Sequence, residues 1–114
     1  MDGARDGKRT FSLAEARALL PEVRRLTAAA HAEVEALRAR AEAEPARREE
    51  LQAQANGVVV GWTRGLQSLG VEVKGLWLAD FDNGAGYYCW RYPEAGLEYY
   101  HSYEEGFRGR IRIH

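Results

Sequence analysis

The chain has one cysteine, one methionine and three prolines, and each scarcity removes something. A single cysteine, Cys89, cannot close an internal disulfide, which fits a reducing compartment. No stretch approaches the roughly 20 apolar residues of a membrane-spanning helix, and the opening MDGARDGKRT lacks the apolar run of a signal peptide. These absences predict a cytoplasmic protein. Charge of one sign is missing too: 16 Lys and Arg stand against 17 Asp and Glu, a net charge of −1. No global field therefore draws in nucleic acid or an anionic membrane. There is no Walker sequence, dinucleotide fingerprint, Cys-x-x-Cys or His-x-x-x-His spacing, and His31, His101 and His114 lie far apart. No motif defines a reaction, and none names a cofactor.

What is present is architecture. With 46% apolar and 29% charged residues over 114 positions, the chain fits one globular domain over residues 11–114, preceded by a polar arm over residues 1–10. Ser12 followed three residues later by Glu15 is a capping-box pattern and predicts a helix start. From there Ala16, Leu20, Val23, Thr27, Ala30, Val34, Leu37 and Ala41 alternate at steps of four and three, the spacing of a coiled-coil seam. Pro21 predicts either a kink or a short first helix. Pro45 separates this helix, about residues 12–44, from a second over about 46–69, which carries Leu51, Ala55, Val58, Val59, Trp62, Leu66 and Leu69 on one side. Gly57, Gly61 and Gly65 recur every fourth residue in it, although glycine inside a helix costs about 1 kcal/mol relative to alanine. That series predicts close approach of another backbone, the first helix foremost, or of a flat ligand.

After Gly70 the period changes to two. Strands are expected over 71–74, 76–81, 87–92 and 97–102, with a short one over 110–113, giving an antiparallel sheet of three to five strands. The fold class is α+β: a long N-terminal helical hairpin, coiled-coil-like, then a small sheet. A helix over 12–44 would run nearly 50 Å, whereas six-residue strands span about 20 Å. The sheet cannot cover such a hairpin, so the seam is expected to be buried in a second copy, a homodimer through the helices.

Most of the Phe, Trp and Tyr residues crowd into the sheet region around Cys89, Asp80 and His101. With Asn83-Gly84 as a two-residue turn, Asp80 would lie opposite Tyr87 and Leu78 opposite Cys89. Closing Tyr92 on Leu97 would set Tyr88 opposite His101, which places His101 with Trp90 on one face and Cys89 with Asp80 on the other. A nucleophilic Cys89 paired with His101 then requires a β-bulge that flips one of them, because the thiol must lie within reach of its base, and a small buried apolar role for Cys89 is the expectation. A metal site from Asp80, His101 and Glu104 or Glu105 remains open, as does a hydrogen-bonded His101 at the sheet edge. Arg108, Arg110 and Arg112 would share one side of an extended tail, which offers a weak nucleic-acid surface or a solvated edge strand.

The order of these pieces resembles a family of short bacterial proteins, domain of unknown function 2203. The likeness is carried by Phe11-Ser12-Leu13-Ala14-Glu15-Ala16 with Leu19-Leu20-Pro21, then Val73-Lys74, Asp80-Phe81, Cys89-Trp90, His101, Gly106-Phe107 and Gly109-Arg110. The chain departs from the pattern at Asp82, where a proline usually follows Asp-Phe, and at Pro93-Glu94, where Gly-Glu is usual. The resemblance supplies no reaction. It implies Asp80, Cys89, Trp90, His101 and Arg110 as one ligand-binding cluster, against the faces assigned by alternation. The leading expectation is a dimeric module that binds a protein or small molecule through its aromatic sheet. The alternative is a metal- or cofactor-dependent enzyme around Asp80 and His101, and the third is nucleic-acid binding by the arginine tail.

Overall fold

The computed structural model describes residues 9–114; the arm expected over 1–10 lies outside the described residues up to Lys8. Two helices pack as a hairpin against one face of a five-stranded antiparallel sheet. Helix α1 (Leu13–Ala43) starts at the expected capping box: Ser12 Oγ accepts from Glu15 N, and Glu15 accepts from Ser12 N. It runs unbroken through Pro21, which sits exposed and forgoes only the helical bond to the turn of the exposed Arg17. A short 3-10 turn, Pro45–Arg47, leads into α2 (Arg48–Ser68).

All eight seam residues of α1 are buried, and their partners lie in the same chain. Ala16, Leu20, Val23 and Ala30 join Trp62 and Leu66 of α2 and Ala79, Phe81 and Trp90 of the sheet in the main core. Beyond the sheet, Leu37 and Ala41 form a second small core with Leu51 of α2. Packing of α2 along the distal half of α1 buries the seam within one chain, so the seam itself requires no second copy. The glycine series also reads differently. A Cβ built on Gly57 or Gly61 meets nothing within 4 Å, and one on Gly65 meets only Leu26 Cδ1 at 4.0 Å. These glycines border open space rather than a tight contact with α1.

The strands are β1 (Glu72–Gly75), β2 (Leu78–Asp82), β3 (Gly86–Arg91), β4 (Tyr99–Ser102) and β5 (Ile111–Arg112), in sequential order across the sheet. The first hairpin turns about Gly84-Ala85 rather than Asn83-Gly84. Asn83 N donates to Gly86 O at 2.8 Å, and Gly84 takes φ +92, as a mirror-image hairpin turn requires at its first central residue. The pairing slides by two, so Asp80 faces Cys89. The second hairpin departs by one: Tyr87 pairs with His101 and Cys89 with Tyr99. A one-residue slip reverses every side chain of β4. Its cause is the Tyr92–Glu98 connection, which leaves the ladder. Tyr92 N donates to Trp77 O, Glu94 N to Arg91 O, and Leu97 is buried in the main core instead of pairing with Tyr92. Two α1 side chains hold this connection, Arg17 donating to Leu97 O and Arg24 to Glu94 O and Ala95 O.

Candidate functional site

The sheet face turned away from the helices carries Asp80 of β2, Cys89 of β3 and His101 of β4 as neighbours on adjacent strands. Cys89 and His101 therefore do share a face, contrary to the assignment from alternation. All three are buried, at 2%, 1% and 3% exposure, on the face opposite α1 and α2. The roof is the segment after β4. Tyr103 donates to Asp82 Oδ1 at 2.7 Å, and a 3-10 turn, Phe107–Gly109, brings Arg110 back to Glu94. A cleft of about 220 Å³ remains between Lys74 and Leu78 on one side and Tyr103 to Phe107 on the other, and it opens onto all three groups.

One ligand atom from each of Asp80, Cys89 and His101 lies within 4.8 Å of the other two. His101 Nδ1 is 2.8 Å from Ser102 O, which can only accept, so Nδ1 carries the proton. Nε2 then faces Asp80 Oδ2 at 3.1 Å with a lone pair unless a second proton or a cation lies between them. Asp80 Oδ1 is buried and has no hydrogen-bond partner. Burial pushes the Asp80 carboxyl above its usual range, against the opposing pull of His101, the Cys89 thiol and Lys74. Burial and then the Asp80 charge drive the Cys89 thiol up to about 12, with Arg110 acting the other way.

The remaining expected site residues fall in different places. Trp90 points into the main core at 0% exposure, where its Nε1 donates to Glu94 O at 3.0 Å, and it takes no part in the cleft. Glu104 and Glu105 are exposed at the cleft mouth, outside the converging trio. Arg110 is half-buried against the rings of Tyr99 and Phe107, each 4.1 Å from its Cζ, and is paired end-on with both oxygens of Glu94 at 3.0 and 2.8 Å. The arginine tail is not one extended surface: Arg108 lies in the 3-10 turn, Arg110 is paired with Glu94, and Arg112 is paired with Glu98 at 2.9 Å.

Several contributors were not read from the sequence. Asp82, fully buried beside the trio, accepts from Gly84 N and Tyr103, and its spacing of two from Asp80 on a period-two strand was the available signal. Tyr87 stacks near His101 with ring centroids 5.4 Å apart, donates to Glu72 at 3.1 Å and carries Lys74 Nζ 4.0 Å over its ring. Their roles depend on the β3–β4 register.

None of the described helices is long and apolar enough to cross a membrane. No curated protein and no solved structure matches the chain. One family of proteins does, through residues 9–113, nearly the whole of the sequence and every residue of the cleft. The chain belongs to the DUF2203 family of uncharacterized conserved proteins.

Proposed function

We propose that the protein is a metal-dependent enzyme in which Asp80, Cys89 and His101 bind one divalent transition-metal ion at the floor of the cleft. The observation that carries this reading is the buried, unpartnered Asp80 Oδ1 in a group where one ligand atom each of Asp80, Cys89 and His101 lies within 4.8 Å of the others. An orphaned buried carboxylate oxygen costs on the order of 1–3 kcal/mol, and a cation removes that cost. The imidazole is already oriented as metal-binding histidines are, with the other ring N–H on a backbone carbonyl. Ligands at about 2.0–2.3 Å in tetrahedral geometry stand roughly 3.5 Å apart, so closing from 4.8 Å takes small side-chain rotations.

Thiolate, imidazole and carboxylate together suit zinc or a neighbouring first-row ion rather than magnesium or calcium. Three protein ligands beside an open cleft leave a coordination position for an outside molecule, whereas structural zinc sites close with four. A zinc-class ion held by these residues would supply a Lewis acid for a carbonyl or phosphoryl oxygen. The chain contributes burial, the fixed His101 tautomer, and a cleft bounded by Lys74, Tyr103 and Phe107. Cysteine-nucleophile chemistry is the weaker reading: a thiol held at about 12 is protonated at neutral pH, and His101 Nε2 faces Asp80 rather than the sulfur.

The test is a native mass spectrum of freshly purified protein before and after chelator, with thermal melts in Zn²⁺ and Co²⁺. One equivalent of ion is expected, lost in Cys89→Ala and His101→Ala. At a free ion concentration of a hundred times Kd, binding adds about 2.7 kcal/mol and raises Tm by on the order of 10 °C. Absence of stoichiometric ion together with an unmoved melt, or binding that survives both substitutions, overturns the assignment.

A further inference from the structure

We propose that the cleft above Asp80, Cys89 and His101 takes a small α-amino acid in its zwitterionic form, with the carboxylate at Lys74 and the ammonium at Glu105. The inference rests on the metal reading above for its floor and adds the class of molecule that occupies the site. At about 220 Å³ the cleft falls below the roughly 300–1,000 Å³ of sites for drug-sized ligands, so its occupant is small. The two walls carry opposite charge: Lys74 of β1 stands on one, and Glu104 and Glu105, which follow β4, stand on the other. β1 and β4 lie three strand spacings apart, about 14 Å between backbones, and side chains narrow that gap to the width of a small molecule. With a divalent ion on two anionic ligands the floor would be formally neutral, and the walls then decide what enters. A ligand with one charge is drawn to one wall and repelled by the other, whereas a zwitterion is matched to both.

Both charges are held in place. Lys74 Nζ lies 4.0 Å from the Tyr87 ring centroid and 3.4 Å from Glu72 Oε1, and the Tyr87 ring is itself 5.4 Å from that of His101. An ammonium has three N–H donors, so with Glu72 and the ring both engaged one is left for an occupant. Glu105 is fixed beside the residue that follows His101: its N donates to Ser102 Oγ at 3.3 Å, and its Oε1 stands 3.5 Å from the same hydroxyl. Gly109 makes room for it, since a Cβ there would stand 2.7 Å from Glu105 Cβ and 3.0 Å from its Oε1. The carboxylate is thus packed along the 3-10 turn at the cleft mouth. Between the charges the lining is apolar, with Leu78 half-buried and the Phe107 ring 37% exposed, and an aliphatic amino-acid side chain laid against them would remove both from water.

The experiment titrates the full chain calorimetrically, both Zn²⁺-loaded and chelator-treated, with L-leucine and with its two single-charge relatives, isocaproate and isoamylamine. Leucine is expected to bind the loaded chain at least about tenfold more tightly than either. Lys74→Met keeps a long side chain without its charge, and it weakens leucine and isocaproate by about 10-fold or more while isoamylamine binds as before or more tightly. Glu105→Gln, at an exposed position, weakens leucine and isoamylamine by about two- to fivefold and strengthens isocaproate. Reciprocal changes of this kind cannot come from general loosening, and the Glu105→Gln measurement stands even where Lys74→Met disturbs Glu72 and Tyr87. Leucine that binds neither form, equal affinities for the three ligands, or losses in the variants that ignore the ligand's charge overturn the inference and leave the metal site intact. Leucine selectivity in a chain that binds no ion keeps the inference and overturns the metal reading instead.

Discussion

Thr27 gives the sharpest test of how the two helices are joined. It is fully buried in the α1 seam, donates to Val23 O at 2.7 Å and accepts from Trp62 Nε1 of α2 at 2.7 Å. Thr27→Val conserves shape and replaces the oxygen by a methyl group. Val23 O keeps its helical partner, so the loss there is small. The Trp62 indole N–H, in a residue only 5% exposed, is left without an acceptor. An orphaned buried donor costs about 1–3 kcal/mol, so a loss near 2 kcal/mol is expected. With an m-value of about 1–3 kcal/mol/M, the urea midpoint falls by on the order of 1 M. Trp62→Phe removes the donor in advance, and in that background Thr27→Val should cost well under 1 kcal/mol, a coupling of about 1–2 kcal/mol in the double-mutant cycle. Equal costs in both backgrounds, or a Thr27→Val change within about 0.5 kcal/mol of zero, would refute this account of the helix contact.

Gly57→Ala and Gly61→Ala should each stabilise the chain by about 0.5–1 kcal/mol in urea titration, because an added Cβ meets nothing within 4 Å and the helix gains propensity. A loss of stability, or of assembly in a sizing experiment, would show instead that this face is covered. Gly86→Ala should cost about 2 kcal/mol or more and weaken Co²⁺ binding, since its Cβ would stand 2.6 Å from His101 O, a backbone atom with no freedom to yield; a neutral result would mean that β3 and β4 separate easily. The double substitution Arg17→Met, Arg24→Met should lower Co²⁺ affinity roughly tenfold or more while far-UV circular dichroism keeps its helical signal, because these arginines anchor the connection that sets the β4 register. Unchanged affinity would show that strand pairing alone places His101.

The helical half was open to sequence reasoning because its determinants are local. The capping box at Ser12 and Glu15 and the seam from Ala16 to Ala41 are matters of spacing along one element, and α1 realises both. Reasoning failed where the question was which surface covers which. Gly57, Gly61 and Gly65 have the same spacing whether they line a tight contact or open solvent, and only tertiary structure distinguishes the two. The supposed need for a second copy failed similarly, since it compared α1 with the sheet and left out Leu51 of α2.

For the sheet, the decisive quantity is parity. The first hairpin was displaced by one residue at its turn, yet the pairing moved by two and Asp80 remained on the face of Cys89. The second hairpin moved by one, and that alone separates a sheet with His101 in the core from one with His101 beside Asp80. Nothing in the alternation of Tyr92 to His101 could reveal the slip, because its causes are nonlocal: the hold of Trp77 O on Tyr92, the burial of Leu97, and the reach of Arg17 and Arg24 from a helix some 70 to 80 residues away in sequence. The family likeness grouped Asp80, Cys89, His101 and Arg110 without any register argument, but also included Trp90, which alternation correctly sent to the core. Each route lacked what the other held. A site drawn from three strands depends on two independent parities, and the second belongs to strands joined by a connection that Arg17 and Arg24 of α1 hold, so the same hydrogen bonds tie the helical hairpin to the loop before His101.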